Sequence, residues 1–194
     1  GLNPKLAAEA YNALQKYAID STRLGIPIIL AVEAPHGHMA IGATVFPTSI
    51  GLASTWDKDL ITEVGKTIAS ELRAQGGHIG YGPVIDLARE PRWSRVEETY
   101  GEDTYLTSQM AAAMVKGTSP KHNGWDKGVI STLKHFVAYG IPEGGHNGNP
   151  SNVGERDLHE NFLPAFQAAV DAGALSVMTS YNSIDGVPST GNPE

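Results

Sequence analysis

The chain contains no cysteine, so it forms no disulfide and offers no thiolate chemistry, and the redox compartment stays open. Basic residues are few: 14 Lys and Arg against 21 Asp and Glu give a net charge of −7, with no basic run. This balance argues against nucleic acid or an anionic membrane as a partner. No apolar stretch approaches the ~18 residues of a membrane helix. No P-loop is present and no G-x-G-x-x-G follows the first apolar run, which argues against a nucleotide-binding sheet.

Apolar residues make up 41% of the 194 residues, which suits one globular domain or part of a larger one. Apolar runs predict strands at residues 28–32, 78–87, 129–133 and 174–180. The first run is continuous, which predicts a strand buried on both faces. Helical spacing predicts helices at residues 4–21, 57–75, 105–116 and 158–170.

The boundaries of two predicted helices have specific signals. Asp57 and Asp103 stand where an N-cap is expected, and Leu60, Val64 and Ile68 are predicted to share one face of the first of these helices. Residues 42–55 are predicted to form a long crossing loop. Strands and helices alternate about four times, at spacings of roughly 40 to 50 residues, which is typical of right-handed βα units and a parallel sheet. We therefore predict an α/β fold, an incomplete (β/α)8 TIM-type barrel.

Polar residues follow each predicted strand where it ends. Glu33 follows the first strand, the charge-rich stretch 86–103 the second, Lys134 and His135 the third, and Tyr181 the fourth. In a βα barrel this rim holds the functional site. Carboxylates beside fixed cations suit a ligand rich in hydroxyl groups, because both kinds of group form strong hydrogen bonds to hydroxyls. A structural ion pair and a core histidine remain the alternative for Lys134 and His135, although a lysine after an apolar strand needs a carboxylate partner.

Two other classes of function stay open at this point. His36 and His38 form a His-x-His after the first strand, a pattern that binds a catalytic metal in some hydrolase barrels. No carboxylate occupies a clear ligand position, so no metal or other cofactor is predicted. A non-catalytic carbohydrate-binding module is the second alternative.

Several long motifs, in the same order along the chain, resemble the N-terminal barrel domain of family 3 glycoside hydrolases, the β-glucosidase and β-xylosidase group. They occupy residues 25–30, 33–37, 44–57, 83–103, 134–136 and 177–188. The resemblance implies that residues 1–194 are the N-terminal part of the barrel domain, without the rest of the barrel and the C-terminal domain. It also implies non-proline cis peptides around Lys134–Phe136.

The resemblance implies a set of substrate-binding residues. Arg95, Lys134 and His135 would grip hydroxyls of the non-reducing-end sugar. Glu33 replaces the aspartate of many members, on the C4 and C6 side of the ring, and its extra methylene suggests a preference for a pentose such as xylose. Tyr181 would lie near the reacting centre and Asp57 at the rim.

Other charged residues are expected to act indirectly. Glu98 would hold Lys134 or His135 in position and support Arg95. A further set would maintain the shape of the charge-rich stretch: Arg89, Glu90, Arg92 and Trp93. Ser94 replaces a glycine that is usual in the family, a mild departure.

The implied activity is that of an exo-acting retaining β-glycosidase that removes a terminal β-D-glucosyl or β-D-xylosyl residue from an oligosaccharide or glycoside. Such a reaction uses two carboxylates about 5 Å apart. The nucleophilic Asp and the acid/base Glu are expected beyond the chain end, and Asp185 is not a substitute. We therefore expect the isolated chain to be inactive and poorly stable without its C-terminal portion. Family resemblance alone favours a periplasmic or secreted location.

Overall fold

The computed structural model describes residues 2–193 and has a four-stranded parallel sheet at its centre. The strands are β1 (Ala31–Glu33), β2 (Ile79–Val84), β3 (Ile130–Phe136) and β4 (Ser176–Thr179). Their spatial order is their order along the chain, as in a βα barrel. The predicted α/β fold with a parallel sheet is confirmed, and four strands are half of the eight that close such a barrel.

Helices connect and flank the strands. They are α1 (Pro4–Ser21), α2 (Ser49–Ala53), α3 (Lys58–Ala74), α4 (Thr104–Thr118), α5 (Pro120–Asn123), α6 (Glu155–Asp157) and α7 (Leu163–Asp171), with a π-helical segment at Leu158–Phe162. Both predicted caps are confirmed. The Asp57 carboxylate accepts hydrogen bonds from the backbone N–H groups at the start of α3, and the Asp103 carboxylate does so for α4. Within residues 2–193, no helix is long and apolar enough to cross a bilayer.

Helices α3 and α4 pack closely against each other. A Cβ added to Gly117 in α4 would lie 2.2 Å from the Thr62 carbonyl oxygen, so this contact requires glycine. The buried face of α3 contains Ile61, Val64 and Ile68, whereas Leu60, predicted to lie on that face, is 43% exposed. A spacing of 3.6 residues per turn explains the correction, because position 61 lies closer than position 60 to the line through 64, 68 and 72.

The first strand departs from the prediction, whereas β4 lies within its predicted range of residues 174–180. The first strand was predicted at residues 28–32 and buried on both faces, but β1 begins at Ala31 and Ile29 is 67% exposed. The reason is that β1 pairs only with β2 among the described residues, so its other edge and part of its surface are open. The predicted loop at residues 42–55 also contains a helix, α2.

A short hairpin after β4 was not predicted. It consists of β5 (Ser183–Ile184) and β6 (Val187–Pro188), joined by Asp185 and Gly186, both of which have positive φ. An Asp-Gly pair is the usual signal for such a turn, so the sequence did contain the information. The Asp185 carboxylate accepts a hydrogen bond from the Val153 backbone N–H at 3.2 Å, which ties the hairpin to the segment before α6.

Candidate functional site

The central feature of the site is a pair of buried polar side chains at the end of β3. Lys134 and His135 are each 3% exposed, and the peptide bonds Lys134–His135 and Phe136–Val137 are cis, as the resemblance implied. The Lys134 ammonium donates to Glu33 Oε2 at 2.8 Å, which confirms that this lysine has a carboxylate partner at the rim. Glu33 ends β1, so β1 and β3 bring their polar ends together over β2.

Glycines in β2 allow its neighbour to come close. A Cβ on Gly82 would lie 2.8 Å from the Ala34 carbonyl oxygen, directly after β1. Gly82 has a φ of +152°, a conformation that side chains rarely adopt. Ala34 therefore approaches β2 closely, and this contact positions the backbone of the preceding residue, Glu33.

Asp86 holds His135 from the end of β2. His135 Nδ1 lies 2.8 Å from Asp86 Oδ2, and the His135 backbone N–H faces both carboxylate oxygens at 3.3 Å. Asp86 is buried between the core side chains Ile85 and Leu87. Asp86 is the first residue of the charge-rich stretch 86–103, but it was not among the predicted site residues. The sequence did contain a signal for Asp86, because a carboxylate between Ile85 and Leu87, inside an apolar run, needs a polar partner.

Arg95 and Glu98 form a half-buried pair with two parallel hydrogen bonds, Nε to Oε1 and Nη2 to Oε2, both at 2.7 Å. Burial favours a higher pKa for Glu98, but the hydrogen bonds and charge of Arg95, helped by the charges of Lys134 and His135, leave the pKa below its usual value. The hydrogen bonds of Glu98 raise the pKa of Arg95, against the effect of burial.

This pairing corrects the predicted role of Glu98. It was expected to hold Lys134 or His135, and also to support Arg95; only the support of Arg95 is observed as hydrogen bonds. The 3-10 turn Val96–Glu98 explains the choice, because it brings Glu98 back beside Arg95, three residues earlier. Glu33 and Asp86 hold the other two side chains.

Tyr139 joins the parts of the site and was not predicted. Its fully buried ring makes edge contacts with His135 (4.8 Å between centroids) and Tyr181 (6.0 Å). The Arg95 guanidinium lies over the same ring, 5.6 Å from its centroid. Burial raises the pKa of Tyr139, partly opposed by Arg95. Tyr181 itself is 77% exposed, so its ring borders the site without being enclosed.

Contacts of the stretch 86–103 involve the four residues that were predicted to hold its shape: Arg89, Glu90, Arg92 and Trp93. Glu90 accepts two hydrogen bonds from the Arg92 side chain, at 2.9 and 2.7 Å. Arg89 pairs with Asp157 at 3.3 Å. The buried Trp93 donates from Nε1 to Asn147 at 2.9 Å. These contacts anchor the part of the stretch that precedes Arg95.

Other predicted residues lie apart from this cluster. The Asp57 carboxylate is used as the N-cap of α3, with both hydrogen bonds to Oδ1. His36 Nδ1 contacts the Phe46 carbonyl oxygen at 2.9 Å. His38 is buried, and burial lowers its pKa. Across residues 2–193, no group of three or more His, Asp or Glu side chains could hold a metal ion.

The site is thus a rigid set of charges at the carboxyl ends of adjacent parallel strands. Each cation is held by a carboxylate, and the Glu33 side chain remains 55% exposed beside Lys134. Fixed donors and acceptors next to an exposed aromatic ring are suited to a ligand with several hydroxyl groups. Their location at the strand ends is that of the active sites of βα barrels.

A parallel sheet with polar residues at its carboxyl edge is typical of βα barrels, and the comparison with known families specifies the family. The family described as "Glycosyl hydrolase family 3 N terminal domain" matches residues 1–194, so the chain belongs to that family. A periplasmic β-glucosidase of Salmonella typhimurium is 38% identical over 177 residues, which are 91% of this chain and 23% of that protein. A putative β-xylosidase of Formosa agariphila is 37% identical over 196 residues, covering 100% of this chain and 26% of that protein.

The solved structures agree in fold. A β-glucosidase structure from Erythrobacter marinus has a TM-score of 0.92 and 35% sequence identity, over 97% of this chain and 25% of that one. The chain therefore spans about a quarter of the length of these three relatives: 23%, 26% and 25%.

Proposed function

We propose that this chain forms the sugar-binding wall of an exo-acting retaining β-glycosidase. The enzyme would remove a terminal β-D-glucosyl or β-D-xylosyl residue from the non-reducing end of an oligosaccharide or glycoside. The observation that carries the proposal is the buried, carboxylate-paired Lys134 at the end of β3, next to His135. A buried cation with an exposed acceptor beside it supplies charge-assisted hydrogen bonds to vicinal hydroxyls.

Each residue has a role that its contacts support. Lys134 has three N–H donors and gives one to Glu33, so the others can serve sugar oxygens. Glu33 accepts hydroxyl hydrogens on its exposed side. Arg95 donates Nε and Nη2 to Glu98, leaving Nη1 for the ligand.

Tyr181 and Asp57 complete the proposed set at its margins. The exposed Tyr181 ring offers an apolar surface to the sugar near the reacting centre. Asp57 is proposed as a rim contact, although its Oδ1 already caps α3.

Retaining hydrolysis also needs a nucleophile and an acid/base carboxylate about 5 Å apart. We propose that both come from parts of the protein outside residues 1–194, which would be the N-terminal part of a barrel that the rest of the protein completes. The relatives are about four times longer than this chain, which supports that division. The chain alone should then bind sugar weakly and hydrolyse nothing.

The first test uses the full-length protein that contains this chain and 4-nitrophenyl β-D-glucoside and β-D-xyloside as substrates. Lys134→Met keeps the length of the side chain and removes its charge. We expect kcat/KM to fall by at least about 30-fold, the equivalent of the ~2 kcal/mol of a charged hydrogen bond. Lys127→Met is the matched control, because Lys127 is exposed in the loop before β3, at the opposite end of that strand.

Three outcomes would count against the proposal. Equal activity of the two lysine variants would remove Lys134 from the substrate site. Glycan binding without turnover by the full-length protein would favour a carbohydrate-binding module. Turnover of an aryl glycoside by the purified 194-residue chain would contradict the division of catalytic residues.

The choice between glucose and xylose is proposed to depend on Glu33. Its length brings the carboxylate to the C4 and C6 side of the sugar and leaves less room for a hydroxymethyl group, which a pentose lacks. We expect Glu33→Asp to raise the ratio of glucoside to xyloside hydrolysis several-fold. A wild-type enzyme that strongly prefers the glucoside would contradict this explanation.

We also propose a periplasmic or secreted location for the protein. The Salmonella typhimurium relative is named as periplasmic, as is a β-glucosidase/β-xylosidase of Dickeya chrysanthemi. Fractionation of the native host, followed by detection with an antibody to this chain, tests the location. Recovery only in the cytoplasmic fraction would exclude it.

A further inference from the structure

The contact between Asp86 and His135 has a geometry that fixes one histidine nitrogen. Asp86 Oδ2 lies 2.8 Å from His135 Nδ1, and both carboxylate oxygens face the His135 backbone N–H at 3.3 Å. The two side chains are among the most enclosed of the site, 4% and 1% exposed for His135 and Asp86. One carboxylate thus holds the same residue at its main chain and its ring.

The other side of the imidazole is also fixed. The Tyr139 ring meets it edge to face at 4.8 Å between centroids, with an interplanar angle of 66°. The charge of Lys134, the residue before His135, acts on the Glu98 carboxylate, so Glu98 also faces this region. The ring therefore has a defined orientation between Asp86 and Tyr139.

We propose that Asp86 is a positioning residue that acts through His135. It holds Nδ1 in the protonated state, so that Nε2 is the nitrogen presented to the ligand. The chemical reason is that a carboxylate accepts hydrogen bonds, and its partner Nδ1 must carry the hydrogen. In a neutral imidazole the second nitrogen is then an acceptor. Nε2 would accept a hydrogen bond from a sugar hydroxyl, whose oxygen is free to accept from Lys134.

The sugar contact rests on the proposed function, whereas the protonation of Nδ1 does not. The test therefore has two arms, both on the full-length protein. Labelling with 15N at histidine alone and recording two-bond 1H–15N correlations identifies which nitrogen of His135 carries the hydrogen. Titration with methyl β-D-glucoside and methyl β-D-xyloside measures affinity.

Two variants replace the Asp86 carboxylate, which accepts the hydrogen bond from His135 Nδ1, by side chains of similar size. In Asp86→Asn an amide N–H2 can face Nδ1, and in Asp86→Leu no acceptor remains. We expect His135 to be protonated at Nδ1 in the wild type and to shift toward Nε2 protonation in both variants, with at least about tenfold weaker glycoside binding. Glu97→Gln is the matched control, because it removes a carboxylate from an exposed position of the same stretch.

A double-variant cycle separates positioning from a general structural effect. If Asp86 acts through His135, then Asp86→Asn should have little effect on affinity in a His135→Gln background. An undiminished effect there would overturn the proposal, as would Nε2 protonation in the wild type or Nδ1 protonation in both variants. If no β-glycoside binds, the proposed function fails, and the NMR arm still decides the role of Asp86.

Discussion

The middle of the sheet encloses charged and polar side chains, whereas its two outer strands leave apolar side chains exposed. At the end of the central strand β3, the charged Lys134 and the polar His135 are almost completely enclosed. On the outer strand β4 the apolar Val177 is 49% exposed, and beside β1 Ile29 is exposed as well. The centre of the sheet therefore encloses polar as well as apolar side chains, while its margins leave apolar ones exposed.

The difference follows from the number of partners in each region. At the end of β3, Lys134 and His135 each have a carboxylate partner, Glu33 and Asp86, so their burial is not penalised by an unpaired polar group. The outer strands pair on one side only among residues 2–193. Apolar side chains there lie where further strands of a closed barrel would pack. Contacts within this chain therefore determine the site, but do not cover the sheet edges.

The largest effect is expected for a core substitution in β3. Leu133 is fully buried and pairs in register with Val177 of β4, so the two positions are matched neighbours on a central and an outer strand. Leu133→Ala should lower the free energy of unfolding by about 2–5 kcal/mol, because it leaves a cavity. Chemical denaturation followed by circular dichroism measures the change.

Val177→Ala is the comparison for that experiment. In the isolated chain it should lower the free energy of unfolding by less than ~1 kcal/mol, because the side chain is half exposed. In the full-length protein the effect should be larger if a further strand covers β4. Equal losses for both variants in the isolated chain would mean that β4 is not an open edge.

An intermediate effect is expected for the Arg95–Glu98 pair. Glu98→Gln should destabilise the chain by about 1–3 kcal/mol at pH 7, because the half-buried Arg95 loses a charged partner. Glu160→Gln is the matched control: Arg156 and Glu160 form a similar Nε–Oε1 contact, 2.9 Å against 2.7 Å, but are exposed. The control should change stability by less than ~0.5 kcal/mol.

The pH dependence of the same pair has a definite sign. The pKa of Glu98 is lowered from its usual 4.5, so its contribution is present above pH 4.5 and is lost as the pH falls below that value. The difference in stability between wild type and Glu98→Gln should therefore shrink between pH 6 and acid pH. A constant difference down to about pH 3 would contradict the hydrogen-bonded, ionised state of Glu98.

The sequence predicted local features of this molecule well. Helix α1 has its predicted bounds, and the Asp57 and Asp103 caps depend only on the adjacent backbone. Lys134 and Glu33 were predicted at the rim because each follows an apolar run. Such signals lie within a few residues of the feature that they predict.

Partners distant in sequence were harder to predict. Glu33 and Lys134 are 101 residues apart and Asp86 and His135 are 49 apart, so their pairing depends on strand order and register. Strand ends can be predicted without knowing which rim side chains meet. This explains why Asp86 and Tyr139 were missed, and why Glu98 was expected to hold Lys134 or His135 in addition to its observed partner Arg95.

The smallest expected effect concerns His38, in the loop after β1. Burial lowers its pKa from the usual 6.5, against the opposing effects of a hydrogen bond with Gln75 and the charge of Glu71. The unfolded chain then binds more protons just below pH 6.5, so stability is present above that pH and declines as the pH falls. Burial also lowers the pKa of His78, so its effect on stability has the same sign.

We expect His38→Asn to reduce, and not abolish, the loss of stability between pH 7.5 and pH 5.5, because His78 still contributes. Denaturation midpoints at the two pH values measure this loss, and a loss as large as that of the wild type would show that His38 is protonated as readily in the folded chain as in the unfolded one. The difference between the losses of the wild type and of His38→Asn therefore measures the contribution of His38, in the loop after β1.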